Sequence, residues 1–322
     1  MTISIVLVSY NQEEYIYDAL NAILTQTLQP DQVIIADDCS KDKTQKIISE
    51  FIKDNALDGK WFILFNKENM GITGNCKNAF NYVTSDIVIL MAGDDISMEN
   101  RCYDTAKLFK EHPNQYMIAG SVFKIDSNNN IIGDISFKDC LCDDIISVIK
   151  NGTPNVFPVG SSFKRELFNI FGTLPTDVPN EDDQIIFWGL VSNGIYCSSK
   201  YVAKYRIHQD SASAWLRNRQ SDAEFFSRFI EDMPIRRRHM ELWKKSIQCI
   251  NREDSAILYV LLDKKIELYS FLENIICYSF CKRLCFLWSH YSVTGLREKY
   301  YILGGKFGIL SWRWVKKILG KI

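Results

Sequence analysis

The sequence predicts an α/β protein: a mixed, mostly parallel sheet flanked by helices, followed by a C-terminal helical region. Three observations predict it. Short apolar runs alternate with amphipathic helical patterns from residue 3 to about residue 95. Polar and acidic residues gather where those runs end, which is where open parallel sheets bind ligands. Beyond about Ala214 strand signals stop, and residues 220–290 carry helical stripes of aromatic and aliphatic side chains. The expected division is therefore 1–215 and 216–322.

The elements follow in order. Ile3–Ser9 is a buried strand. Asn11 is placed to cap a helix over Glu13–Thr25, with Ile16, Ala19, Leu20, Ile23 and Leu24 on one face. Gln32–Ala36 is a second strand ending in Asp37-Asp38-Cys39-Ser40. A helix over Lys43–Lys53 carries Ile47, Ile48, Phe51 and Ile52. Trp61–Phe65 is a third strand, Gly74–Val83 a third helix opened by the loop Gly71-Ile72-Thr73-Gly74, and Ile87–Met91 a fourth strand ending in Ala92-Gly93-Asp94-Asp95. This alternation is the pattern of crossover units. Ala119–Asp126 and Ile131–Phe137 read as a hairpin, Val156–Phe163 as a short strand, Arg165–Phe171 and Glu181–Asn193 as helices, and Gly194–Ile207 as extended chain.

Composition excludes several classes. Hydrophobic residues at 47% and charged residues at 24% are those of a folded globular chain, and a net charge of −1 excludes a strongly basic nucleic-acid binder. The N-terminal apolar run is only Ile3–Val8 with no basic region before it, so it reads as a strand and not a signal peptide. No window reaches the ~18 apolar residues of a spanning helix, and a cytoplasmic location is expected. Ten cysteines without an export signal point to free thiols. Cys140 and Cys142 form a C-x-C and Cys277, Cys281 and Cys285 share a helical spacing, but no second ligand pair completes a zinc site, so they read as small core residues.

Four constellations carry chemistry. Adjacent carboxylates Asp94-Asp95 repel unless a divalent cation or hydroxylated ligand sits between them. Asp37-Asp38 is placed to accept from a base or ribose, or simply to start a helix. Glu181-Asp182-Asp183 opens a helix, where acids suit the dipole, or supplies a general base. Of four histidines, His112, His239 and His290 read as surface residues, while His208, ending a strand, has the chemistry of a metal ligand. Phosphate-loop, dinucleotide-binding and nucleophile-elbow motifs are absent from the sequence.

The order of these pieces resembles the family 2 glycosyltransferases: Val8-Ser9-Tyr10-Asn11, Asp37 through Thr44, Asn69-Met70-Gly71 with Lys77-Asn78, Asp94-Asp95, Asn180-Glu181-Asp182, and Tyr205-Arg206-Ile207-His208. The resemblance covers roughly residues 1–213 and implies the Rossmann-like GT-A fold. It implies that Tyr10, Asn11 and Asp38 meet the nucleotide, with Asp37 supporting the turn and Lys77 near the base or phosphates. Asp95 would bind Mn²⁺ or Mg²⁺, Asp94 the ribose or the metal through water, and His208 the metal. Asp182, beside Glu181, matches the catalytic base, with Asp183 one residue away as the alternative. Ala92 stands where a fuller acidic element has its first acid. The activity so implied is inverting transfer from a nucleotide-sugar, a UDP-sugar by family habit, to a glycan or polyprenyl-diphosphate-linked acceptor in surface-polysaccharide synthesis.

Two other readings compete. A sugar nucleotidyltransferase would carry a Gly-rich basic signature near its N-terminus, where this chain has Val8-Ser9-Tyr10-Asn11. A non-catalytic scaffold of the same fold has only Ala92 in its favour. The tail adds a partner. From Lys282 to Ile322 nine basic residues face one acidic, a net of +8 that leaves −9 for the rest. Within 296–322, Ile309, Leu310, Trp312, Val315, Ile318 and Leu319 are expected to form an apolar face against an anionic membrane, with Arg313, Lys316 and Lys317 around it. The alternatives are a helix docked on the protein's own core and an oligomer contact.

Overall fold

The computed structural model describes residues 1–152, 156–179, 181–208 and 221–318, with side chains to 312. Two compact units emerge: Met1–Asp143 with Asn155–His208, and Asp144–Pro154 with Gln209–Ile322. The division expected near residue 215 lies outside the described residues, as do Asn180 and the tail side chains of Arg313, Val315, Lys316, Lys317, Ile318 and Leu319.

The first unit holds one sheet. Its elements in chain order are β1 (Ile3–Ser9), α1 (Ile16–Leu24), β2 (Gln32–Asp37), α2 (Thr44–Asp54), β3 (Phe62–Phe65), α3 (Gly71–Phe80), β4 (Ile87–Ala92), β5 (Ile96–Ser97), α4 (Arg101–Glu111), β6 (Met117–Ile125), β7 (Ile131–Ile135) and β8 (Cys140–Cys142). After α5 (Ile145–Asn151), which belongs to the second unit, come β9 (Ser161–Lys164), α6 (Glu166–Phe171), α7 (Glu181–Asn193) and β10 (Ile195–Arg206). The strand order is β3-β2-β1-β4-β9-β6-β10-β5, with β7 on β6 and β8 on β10. β3, β2, β1 and β4 are parallel, and β9 runs antiparallel between β4 and β6. Every residue of β1 is buried, because helices cover both faces; that is why its sequence reads as a continuous apolar run. Ile5 and Leu7 pack with Ile16, Leu20, Ile48, Phe51 and Phe109 in the core. Each such side chain contributes about 1.5–3 kcal/mol by leaving water.

The structure departs from expectation at identifiable places. Asn11 does not cap α1: it lies at φ 51, and α1 starts at Ile16 after Tyr15, without a side-chain cap. Residues 71–74 are the first turn of α3, not a loop. The strand expected from residue 156 is a 3₁₀ turn at Pro158–Gly160 followed by β9. β5, α4, β8 and α5 carried too little pattern to be read: two of them have two or three residues, and α4 is charged on most of its faces.

The cysteines are all free thiols. Only Cys76, Cys102 and Cys197 are buried, and Cys140, Cys249, Cys277, Cys281 and Cys285 are exposed, so the core reading holds for a minority. His239 and His290 are buried, not surface residues; His290 Nε2 sits 2.7 Å from Glu267.

The second unit contains α5, α8 (Asp222–Gln248), α9 (Ser255–Glu273), α10 (Phe280–Ser289) and α11 (Leu296–Ile318), the last interrupted at Gly305. A reciprocal Ser221–Glu224 capping box starts α8. Met240, Trp243 and Ile247 of α8 and Leu258, Leu262 and Leu268 of α9 form its interior. Lys265 and Glu298, both buried, pair at 3.5 Å. The tail's expected lipid-facing stripe is instead partly internal. Ile309 is fully buried, and the Trp312 ring packs 5.5 Å from that of Tyr300. Among the described residues no helix is long and apolar enough to cross a membrane.

Candidate active site

Parallel strands deliver their carboxyl ends to one edge of the sheet, and the loops that leave that edge are laced together. Asn11 N donates to Ser40 Oγ (2.8 Å), Lys41 N donates to Asn11 Oδ1 (2.8 Å), and Gln12 N donates to Thr44 Oγ1 (2.8 Å). Asn11 thus fastens the β1 loop to the β2 loop, and its left-handed backbone is one that Asn tolerates. Tyr10 is left exposed at the rim. Gly93 is required by close approach: a Cβ there would lie 2.4 Å from Gln12 Oε1 and 2.8 Å from Ile16 Cδ1.

The two acids after β2 do different things. Asp37 is wholly buried and accepts from Ser9 Oγ (3.0 Å), Ser40 N (2.9 Å) and Gln45 Nε2 (2.6 Å). It holds the turn. Asp38 accepts through Oδ1 from Met70 N (2.8 Å) and Asn66 Nδ2 (3.0 Å), and no protein donor engages its Oδ2 among the described residues. Asn66 is itself fixed by Asn75 (2.9 Å) and Asn78 (2.8 Å) of α3, an amide network that apolar periodicity could not reveal.

The acids after β4 are arranged by β5 and β10. Only Asp95 separates Asp94 from β5, and β5 pairs with β10, so the end of β10 is brought beside both carboxylates. Asp95 is buried and accepts from Arg206 N (2.9 Å). Burial, then the neighbouring Asp94, hold its carboxyl well above the usual range. Asp94 Oδ2 lies 3.0 Å from His208 Nε2. The Arg206 guanidinium, 1% exposed, is spent on structure: Nε donates to Asp94 O (2.7 Å), Nη1 to Asp126 O (3.2 Å), and the group lies 4.6 Å from the Tyr15 ring centroid.

The third group opens α7. Thr73 Oγ1, in the first turn of α3, donates to Val178 O (2.9 Å) and reaches Glu181 Oε2 at 3.4 Å. Met70, three residues earlier, holds Asp38, so α3 ties the α7 start to the β2 end. The fully buried Cys76 thiol registers the result. Burial raises it well above its ordinary value, and the charges of Glu181, Asp182 and Asp38 raise it further. Glu181 is buried and pushed up to about 8, by burial first and by Asp182 second. Burial also raises Asp182 above the usual aspartate value. Asp182 borders a small, mainly apolar cavity with Leu90, Met117, Ser161, Phe163 and Ile186.

Of the residues read from sequence, Tyr10, Asn11, Asp38, Asp94, Asp95, Glu181, Asp182 and His208 belong to this edge. Lys77 does not: it sits in the last turn of α3 and lines a separate groove with Asn81, Arg165 and Asn169. Arg165 Nε donates to Ser85 O, just before β4 begins, which marks that groove as lying toward the opposite strand ends. No three metal-ligating side chains converge among the described residues. The Asp94–His208 pair nonetheless fits a divalent cation. Its spacing is that of neighbouring ligands around a cation about 2.1 Å from each, and such cations take few protein ligands when substrate phosphates supply the rest.

The profile described as Glycosyl transferase family 2 matches residues 4–171. An uncharacterized glycosyltransferase of Nostoc sp. is 26% identical over 262 residues, covering 73% of this chain and 76% of its own. The UDP-Glc:alpha-D-GlcNAc-diphosphoundecaprenol beta-1,3-glucosyltransferase WfgD of Escherichia coli is 23% identical over 222 residues, covering 66% and 79%. Among solved structures, S. aureus TarS 1–349 in complex with UDP-GlcNAc superposes with a TM-score of 0.60 at 17% identity, covering 100% of this chain and 89% of that one. The mannosyltransferase PcManGT from Pyrobaculum calidifontis, in complex with GDP-Man and Mn²⁺, gives 0.54 at 16%, covering 99% and 88%. These likenesses show the fold.

Proposed function

The chain belongs to glycosyl transferase family 2 and is a glycosyltransferase, and from that premise we propose that it moves a sugar from a UDP-sugar to a hydroxyl of a polyprenyl-diphosphate-linked acceptor, with inversion at C1. The relatives WfgD and WfaP, whose names specify UDP-Glc and a GlcNAc-diphosphoundecaprenol acceptor, support the substrate classes. They also support a site of action at the cytoplasmic membrane surface. One observation carries the assignment to this site: the start of α3 donates from Met70 N to Asp38 and from Thr73 Oγ1 to Glu181, fastening the nucleotide end of the cleft to the acids of α7.

Asp38 Oδ2, which no donor engages among the described residues, accepts from the nucleoside, and Tyr10 covers it from the rim. Asp94 and His208 would hold Mn²⁺ or Mg²⁺. Held there, it would supply Lewis-acid neutralisation of the charge developing on the diphosphate. Asp95 positions this pair through Arg206. The acceptor hydroxyl attacks C1 as the bond to the diphosphate oxygen breaks, and its proton passes to Asp182. Burial makes Asp182 a stronger base than an exposed aspartate. Glu181, pushed to about 8, keeps its proton at neutral pH and places no second charge beside the base.

The test is UDP release from a panel of UDP-sugars with a synthetic GlcNAc-diphosphate-lipid acceptor. Asp182→Asn should lower turnover about 10²–10⁴-fold while calorimetric UDP affinity stays near that of the parent. Unchanged turnover would remove Asp182 from the mechanism.

A further inference from the structure

The largest exposed apolar side chains of the second unit lie on α10 and α11. No residue of α10 is buried. Its Phe286 ring stacks 3.9 Å from Phe271 of α9, which fixes the inward side. Phe280, Leu284 and Trp288 recur every four residues along another stripe, and Trp288 is 87% exposed. The exposed Cys281 and Cys285 extend that stripe. On α11, Leu296, Tyr300 and Leu303 repeat the pattern, and Phe307, beyond the Gly305 break, is 77% exposed. The two helices are neighbours, since a Cβ on Gly305 would lie 2.0 Å from Arg283 Nη1.

An exposed apolar surface of this kind marks a binding face, and charge selects the occupant. From residue 282 to 312 there are five basic side chains, Lys282, Arg283, Arg297, Lys299 and Lys306, and one acidic, Glu298. Lys282 lies 4.0 Å from the Tyr278 ring centroid and Lys299 3.4 Å from that of Tyr291, so each ammonium is braced on an aromatic body; Lys299 follows Leu296 by three residues and flanks the α11 stripe. Aromatic anchors interleaved with lysines are the chemistry of a bilayer interface. A second copy of the chain would bring a like-charged face against this one.

We propose that α10 and the first part of α11 form a contact surface for an anionic lipid bilayer. Phe280, Leu284, Trp288 and Phe307 enter the boundary between headgroups and acyl chains, and Lys299 and Lys306 meet the lipid phosphates. This surface differs from that of Ile309, which is buried in the unit's own interior.

The test is flotation of the full chain with phosphatidylglycerol or phosphatidylcholine vesicles, without substrate, so that its outcome is independent of the catalytic reading. The parent should float with the anionic vesicles only, and less at high salt. Phe280→Glu/Trp288→Glu should need at least about tenfold more lipid for half-binding, with UDP release on a water-soluble acceptor unchanged; Trp288→Ser should fall between. Flotation of the double variant equal to the parent's would overturn the proposal. So would failure of the parent to float, or a parent dimer in sedimentation that the double variant abolishes without any lipid binding.

Discussion

Two strand ends carry the same dipeptide and use it in opposite order. After β2, the first acid is structural: Asp37 is enclosed by donors from Ser9, Ser40 and Gln45, and Asp38 is held through Oδ1 alone among the described residues. After β4, the first acid meets His208, and the second, Asp95, is enclosed and held by the Arg206 amide. The cause is what the chain does next. After Asp38 it turns into a loop that bonds back to Asp37, whereas after Asp95 it enters β5 at once and is pinned to β10. An Asp-Asp pair at a strand end therefore announces a site without saying which acid faces it.

Substitutions at the four acids sharpen this contrast. Asp94→Ala should have the largest effect, lowering turnover about 10²-fold or more with little change in Tm. Asp95→Asn keeps an acceptor for the Arg206 amide and should leave stability near the parent's, whereas Asp95→Ala strands that amide and should cost about 1–3 kcal/mol in denaturant unfolding. The opposite ranking would reverse the roles assigned at β4. At β2, Asp37→Ala should destabilise by about 2–4 kcal/mol, because several buried donors lose their partner together. Asp38→Ala should chiefly weaken UDP binding, read by calorimetry, and equal losses in both assays would erase the distinction.

The smallest effect is a slope. Glu181 rises from 4.5 in an open chain to about 8 in the fold, so the folded state retains a proton that the unfolded state releases. The corresponding stability is fully present below about pH 4.5 and is lost as pH rises through about 8. Glu181→Gln should flatten the fall of Tm between pH 5 and pH 9. An unchanged slope would mean that Glu181 is not the group responsible.

Much of this was legible in the sequence because burial on both faces writes itself as unbroken apolar runs. β1, β2 and β4 and the stripes of α1 and α2 were readable for that reason, and the strand-end acids could be located from them. The partners of those acids were not. Asn66, Asn75 and Asn78 are polar residues without a period, and their amides meet only when α3 is laid against β2. Arg206 was quoted within a motif, but its burial follows from β5, a two-residue strand too short to leave a pattern. Lys77 shows the reverse error: a basic residue at a familiar position, carried by helical rotation to another groove. In the second unit the cysteines at 277, 281 and 285 had core spacing, yet Cys277 falls in a 3₁₀ turn before α10 and α10 turns Cys281 and Cys285 outward; spacing defines a stripe and does not say what lies against it.

Asp94 and His208 stand 114 residues apart, joined only after β10 has crossed the sheet. A chain emerging from the ribosome can therefore complete β1 through β4, with the proposed nucleotide end of the cleft in place, and still lack the second half of this pair. Competence arrives late, after residue 208 has been synthesised and docked. A protein stalled or cleaved before that point would keep much of its Rossmann-like half yet have no His208 beside Asp94.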